Sequence, residues 1–151
     1  LPAPRDAPKP HPAAERDKDR RAFLRAKVTK DFLATEVEGQ LPDPQMVDLL
    51  AQLFIDFACD LRGRPEVWSP TTVEMFLCDF APSVVWQADH IAWVAPTLRV
   101  FVGWAQERRP VVIRGRHATQ EAIDQFAGDF IHGARRAALG VAVAAQISEE
   151  Q

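Results

Sequence analysis

The stretch DPQMVDLLAQLFIDFACDL, residues 43–61, decides the fold. Asp43 followed by Pro44 is a typical helix start, because the aspartate accepts bonds from free backbone N–H groups and proline needs no donor at the first helical position. Apolar residues then cover one wide arc of the helix: Met46, Val47, Leu50, Leu53, Phe54, Phe57, Ala58 and Leu61. The pattern predicts an amphipathic helix that contributes one face to a core. The polar residues opposite, Asp48, Gln52, Asp56 and Asp60, are interpreted as its solvated face.

A second helix is predicted over residues 70–80, after the helix-breaking segment RGRPEVW. Ser69 and Pro70 repeat the combination of a capping residue and a proline. The helix is apolar around nearly its whole circumference, with Phe76 among its core residues, which predicts a central and buried position. Pro82 is expected to end it.

The following stretch, SVVWQADHIAWVA, is less regular. Asp89 is expected to cap a short helical turn, and Pro96 to open a separate helix that runs to about Arg109. Residues 111–116, VVIRGR, are expected to form an extended loop, because a single short strand would lack a pairing partner.

Residues 119–138 show the clearest helical pattern, with Thr119 as the predicted cap. Apolar residues fill one half of the helical wheel, and polar residues fill the other half. Gly140 is a plausible break, after which the segment VAVAAQI either continues the helix or frays.

The N-terminal part differs in composition from this body. Residues 1–14 contain five prolines and are predicted to be a disordered leader. Residues 15–38 are expected to form a solvated helix that packs by one narrow edge and stops near Gly39. The predicted organisation is therefore a leader at 1–14, a helical domain at 15–147 and a tail at 148–151. The fold class is all-α, a single compact bundle of four to six helices.

Two segments carry a resemblance to known proteins. The segment RGRPEVWSPTTVEMFLCDFAPSVV, followed by APTLRVFVGWAQER, shows a Trp-Ser-Pro motif, then an apolar helix and then a proline, over roughly residues 60–109. The pattern resembles a helical domain of unknown function in uncharacterised proteins of GC-rich actinobacteria. The resemblance implies a bacterial source and no particular activity.

Composition limits the class of protein. A chain of 151 residues, 47% of them hydrophobic, can bury its own core without disulfides or metal. Residues 43–151 are acidic and their basic residues are all arginine, which argues against nucleic acid as the partner. Cys59 and Cys78 lie in apolar runs and are interpreted as buried thiols, with a disulfide between them left open. No apolar run is long enough to span a membrane, and a cytoplasmic location is expected.

The histidines do not form a recognisable catalytic or metal motif. Asp129 and His132 have the spacing of one di-iron ligand pair, but such a site needs a second pair and further carboxylates. No serine or cysteine lies at motif spacing from His90 or His117, and no phosphate-binding loop is present. The sequence therefore predicts no catalytic residue, no metal ligand and no cofactor.

The candidate partner-binding residues are Trp86, His90, Trp93, Arg114 and Arg116. The first three would share one face if residues 86–93 were helical, and the two arginines would supply a polar rim if the fold brought them close. The alternative is that both tryptophans complete the core.

The function we expect is a non-enzymatic module that binds another protein or another domain of its own chain, with self-association also allowed. The alternative is a nucleic-acid-associated accessory domain that uses basic residues of 16–30 and of 108–116. A third class, an enzyme with an unrecognised site, stays open.

Overall fold

A computed structural model shows an all-α bundle, as the sequence predicts. It describes residues 12–35, 41, 43–109 and 113–150, and none of these lies in a β-strand. Its five α-helices are α1 (Pro12–Leu33), α2 (Pro44–Arg62), α3 (Pro70–Glu74), α4 (Ala88–Arg108) and α5 (Ile113–Glu150). A π-helical segment, Met75–Phe80, and a 3-10 turn, Ala81–Ser83, continue α3. Helix α1 packs on α2, α2 on α4, and α4 on α5, while α3 and its continuation pack against α5.

The ends of the chain differ from the predicted boundaries. The leader predicted over residues 1–14 lies outside the described residues as far as residue 11, and α1 already begins at Pro12. The predicted stop at Gly39 also lies outside them, and α1 ends earlier, at Leu33. At the other end, α5 continues to Glu150 through most of the predicted tail.

Both predicted helix starts in the middle of the chain are confirmed. A carboxylate oxygen of Asp43 accepts hydrogen bonds from the backbone nitrogens of Gln45, at 3.0 Å, and Met46, at 3.4 Å. The Ser69 hydroxyl accepts one from the backbone nitrogen of Thr72, at 3.3 Å. These bonds satisfy N–H groups that have no partner inside the helix, so the starts of α2 and α3 follow from local sequence.

The predicted helix over 70–80 is α-helical only as far as Glu74 and then π-helical. Pro82 does not end the helical conformation, because it lies in the first turn of the 3-10 segment, where no N–H is required of it. The chain leaves helical geometry at Val84, whose backbone is extended.

An aromatic cluster holds the helices together. Phe54 of α2, Phe76 of the π-helical segment and Phe101 of α4 are fully buried. Trp68, from the connection before α3, contacts all three rings, with centroid distances of 6.4, 5.9 and 6.2 Å. Phe32 brings α1 to the same cluster, 5.1 Å from Phe101 in an edge-to-face arrangement. The central and buried position predicted for Phe76 is therefore confirmed.

Helix α4 corrects two predictions. It is one continuous helix in which Pro96 lies inside, and Asp89 lies in its first turn instead of capping a separate one. The missing bond at Pro96 would join its nitrogen to the carbonyl of Ala92, and both residues are exposed. Water can bond that carbonyl, so the tertiary packing of the opposite face outweighs the cost of the proline.

Helix α5 differs from the sequence predictions in two respects. It begins at Ile113, so residues 113–116 are helical rather than extended, and residues 111–112 lie outside the described part of the chain. Thr119 is a buried interior residue and not a cap. Its hydroxyl donates to the carbonyl of Gly115, at 2.8 Å, and accepts a bond from the buried Gln106 amide of α4, at 3.1 Å.

Ion pairs attach the narrow edge of α1. Val28 and Phe32 are its buried residues, while Arg25 lies beside two carboxylates of α2, 3.3 Å from Asp56 and 2.9 Å from Asp60. The narrow packing edge of α1 is confirmed. The acidic side of α2 is not simply a solvated face, because part of it receives this arginine.

Substitution of Phe76 by alanine tests the core. We expect Phe76→Ala to lower the free energy of unfolding by about 3–5 kcal/mol, because it leaves a cavity among rings that cannot collapse. Phe23→Ala is the matched control, since Phe23 is 68% exposed and its loss should change stability by less than about 1 kcal/mol. Urea unfolding followed by circular dichroism measures both, and equal effects would contradict this description of the core.

Candidate interaction surface

The predicted tryptophan edge is only partly assembled. Trp86 lies in the extended connection before α4, whereas His90 and Trp93 lie inside the helix, three positions apart. All three are partly buried, and both tryptophans pack against the core. The shared helical face therefore holds for His90 and Trp93, but Trp86 reaches the core from outside α4.

The contacts of Trp86 are those of a side chain that closes one end of the core. Its indole N–H donates to the carbonyl of Ala81, at 2.7 Å. Its ring meets Phe130 of α5 edge to face, with centroids 5.6 Å apart. Both the polar and the apolar part of this indole thus have partners within the domain. A partner-binding role for these residues stays a prediction.

Arg114 and Arg116 do not form a rim around that edge. Arg116 donates to the backbone carbonyl of Gln106, at 3.0 Å, near the C-terminal end of α4. Trp93 precedes Gln106 by 13 residues, which corresponds to about 20 Å along a helix. Arg114 is exposed in the first turn of α5. The structure therefore places the arginines and the tryptophans toward opposite ends of α4.

Some basic residues of 108–116, predicted as a possible nucleic-acid contact, instead make contacts within the chain. Arg108 lies 2.7 Å from a carboxylate oxygen of Asp31 and 3.6 Å from one of Glu66, and its guanidinium stacks over the ring of Trp104. Arg99, nine residues before Arg108 in α4, pairs with Asp124 of α5. These arginines connect helices rather than forming one continuous cationic surface.

The cysteines and histidines do not come together as a reactive site. Cys59 and Cys78 are both free. Burial raises the pKa of each thiol, which opposes formation of the nucleophilic thiolate. Asp129 and His132 are exposed, and the described residues include no cluster of three potential metal ligands.

The C-terminal half of α5 is the most unusual surface of the domain. Up to residue 148, Ala134 is the last buried residue of α5, and every residue from 135 to 148 is exposed. Among them are four large apolar side chains that are between 46 and 66% exposed: Leu139, Val141, Val143 and Ile147. We call this part of α5, residues 135–148, the distal helix. Side chains this exposed gain little from burial within their own domain, so they need another explanation.

The apolar residues of the distal helix lie on two different sides. At 100° per residue, Val141 continues the side on which Ile123, Phe130 and Ala134 pack against the domain. Leu139, Val143 and Ile147 lie on the opposite side, which carries polar residues in the packed half of α5, such as Glu121, Gln125 and His132. We call these three residues the outer stripe.

The outer stripe was not predicted from the sequence. The segment VAVAAQI is too rich in alanine and valine to give a clear amphipathic pattern, and Gly140 suggested a break. The available signal was the spacing of four residues from 139 to 143 to 147, in a phase that differs from the apolar side of 119–138. The glycine does not interrupt the helix, and a Cβ at this position would have no neighbour within 4 Å.

Comparison of the chain with protein-family models, with curated proteins and with solved structures found no match. The resemblance based on the Trp-Ser-Pro motif therefore stays a prediction. Within the described residues, no helix is both long and apolar enough to cross a membrane.

Substitution of Trp86 separates a core role from a binding role. We expect Trp86→Ala to lower the free energy of unfolding by about 3 kcal/mol, because it removes the contact with Phe130 and leaves the Ala81 carbonyl without this donor. Val85→Ala is the control, since the neighbouring Val85 is 85% exposed and should contribute almost nothing. Thermal and urea unfolding measure both variants. A Trp86→Ala variant with parental stability but weakened association would instead favour the binding role.

Proposed function

We propose that this domain is a non-enzymatic interaction module of the cytoplasm that binds another protein, or another domain of its own chain, through the distal helix. The observation that carries the proposal is the outer stripe, an apolar row on a helix that extends past its own core. Apolar residues clustered on the surface of a monomer typically mark a contact with another macromolecule. The two free cysteines accord with a reducing compartment.

The contacts that stabilise the fold lie outside the distal helix, which supports a binding role for the distal helix. The aromatic cluster, the Gln106–Thr119 pair and the ion pairs of α1 all lie before residue 135, so the fold has its stabilising contacts without the distal helix. The distal helix starts from an ordered helical turn, which removes the cost of nucleating it. It can thus present apolar side chains to a partner in a preformed conformation, and less entropy is lost on binding.

Binding through an amphipathic helix is a common mode of protein recognition. The partner supplies an apolar groove or a second helix, and residues at intervals of three and four enter it. The outer stripe has this spacing, with one large apolar residue in each turn. Arg136, Gly140 and Gln146 flank the stripe, whereas most alanines of the distal helix lie on the other side, with Val141.

The contacts of the basic residues give less support to nucleic-acid binding. Arg16, Arg20 and Arg21 are exposed on α1, but Asp17 and Asp19 are interleaved with them. Arg25 and Arg108 are engaged with carboxylates. A protein that neutralises several phosphates needs its cations free and on one side.

Replacement of the outer stripe tests the proposed function. We expect the triple variant Leu139→Gln, Val143→Gln, Ile147→Gln to keep the helical spectrum and the thermal stability of the parent, because none of the three side chains is in the core. It should lose the associations that the parent forms. The measurement is co-purification from the cells that produce the protein, together with recovery of a differently tagged second copy.

The control is Leu49→Gln on α2, because Leu49 is 56% exposed and lies outside the distal helix. This variant should retain every association of the parent. If the triple variant also retains all of them, the distal helix is not the binding surface and the proposed function is wrong.

A further inference from the structure

We propose that α1 is a detachable cover, which leaves and rejoins one face of α2 as a unit while the other helices stay packed. In the closed state, which the structure shows, the Cys59 thiol of α2 is buried. In the open state, this thiol is in contact with solvent. Ion pairs that join α1 to α2 and α4 set the balance between the two states, so the balance responds to ionic strength. This device does not involve the distal helix and goes beyond the proposed function.

The apolar contact between α1 and the domain is small. Over residues 16–33 of α1, only Val28 and Phe32 are buried, and they lie one helical turn apart near its C-terminal end. Residues 16–23 are all exposed. A segment with few buried apolar contacts opens at a lower free energy than the whole fold unfolds. We therefore expect α1 to detach before α2 and α4 separate from each other.

The helices beneath α1 have contacts that do not depend on it. Trp68 packs against Phe54, Phe76 and Phe101, and none of these four rings belongs to α1. Helix α1 adds Phe32 at the edge of this cluster, 5.1 Å from Phe101. It also precedes α2 to α5 in the chain, so none of their connections runs through it. These helices can therefore stay packed when Phe32 leaves.

Partly exposed ion pairs hold α1 in the closed position. Arg25 lies 3.3 Å from a carboxylate oxygen of Asp56 and 2.9 Å from one of Asp60, both on α2. Asp31 lies 2.7 Å from a guanidinium nitrogen of Arg108 on α4. All five side chains keep access to solvent, and dissolved salt screens charges in such positions. Added salt should therefore shift α1 toward the open state.

Cys59 lies beneath the contact that Arg25 makes. The thiol-bearing residue is 2% exposed, and around the axis of α2 it lies between Ile55 and Asp56. Burial raises the pKa of the Cys59 thiol, and the nearby Arg25 guanidinium opposes this rise. A reagent in solution cannot reach the thiol in the closed state. The reaction rate of Cys59 therefore reports how often α1 opens.

The experiment measures the rate at which Cys59 reacts with dithiodipyridine in the full chain. The Cys59 thiolate attacks the disulfide of the reagent, forms a mixed disulfide and releases thiopyridone, whose absorbance is recorded. The reagent is uncharged, so salt does not change its attraction to the protein. Cys78→Ser leaves Cys59 as the only thiol and is the reference protein. In the parent chain, Cys59 should give the slower of two phases at the same rate, because Cys78 is less buried.

Urea distinguishes the opening of α1 from global unfolding. Below the unfolding transition, the logarithm of the rate should rise with urea at less than about half the slope of global unfolding. The reason is that detaching one helix exposes less surface than unfolding the chain. Circular dichroism in the same solutions gives the global slope. A rate with the full global slope would show that Cys59 reacts only from the unfolded chain, and the proposal would be wrong.

Salt tests the role of the ion pairs. Raising sodium chloride from about 0.05 M to about 0.5 M should increase the rate about threefold or more, relative to glutathione under the same conditions. A rate that stays constant or falls would show that the ion pairs do not hold α1 closed.

A substitution at the far side of the docked part of α1 tests whether α1 moves as a unit. Asp31→Asn removes the charge that faces Arg108, about 9 Å along the helix from Arg25, and should make Cys59 react about two to five times faster. Asp19→Asn is the matched control, because it removes the same charge from an exposed position of α1 and should leave the rate unchanged. Equal rates in the two variants would overturn the proposal.

Discussion

The contact of Trp68 with Phe54, Phe76 and Phe101 is the interaction on which the bundle depends. These three phenylalanines belong to α2, the π-helical segment and α4, elements that are separated in sequence. Trp68 fills the space between them, and its indole N–H is satisfied by the carbonyl of Pro65, at 3.2 Å. A ring of this size at the junction fixes the distances between three helical elements at once.

The remaining helices are positioned relative to that cluster. Phe32 attaches α1 to Phe101, and Arg25 keeps the same helix aligned along α2 through Asp56 and Asp60. Gln106 and Thr119 determine how α5 is aligned along α4. A buried amide bonded to a buried hydroxyl leaves little freedom to slide, since a shift would leave both polar groups without a partner. Apolar contacts thus hold the helices together, and a few polar ones determine their alignment.

Local chemistry made part of this fold predictable. The starts at Asp43 and Ser69 depend on atoms within three residues of each other, so sequence was sufficient. The predictions at Pro96 and Thr119 were wrong because tertiary packing outweighs the local preferences of these two residues. Proline at a helix start and threonine at a cap are the favoured local solutions, but here the packing of α4 against α2 and α5 keeps both residues in helix interiors. The candidate site was harder to predict, because Trp86 and Arg116 have partners that only the tertiary structure reveals, and the outer stripe differs from a buried face only in that nothing covers it.

The length of α5 gives the domain a stiff spacer. Glu150 follows Ala134 by sixteen positions, so the helix extends about 24 Å past Ala134. A flexible tail of equal length would sample many distances, whereas a helix holds one. Anything attached along the distal helix is therefore kept at a set separation and direction from the four other helices. The distance between the packed domain and a group on the distal helix is therefore determined by the number of helical turns between them. It does not depend on which residues make the contact.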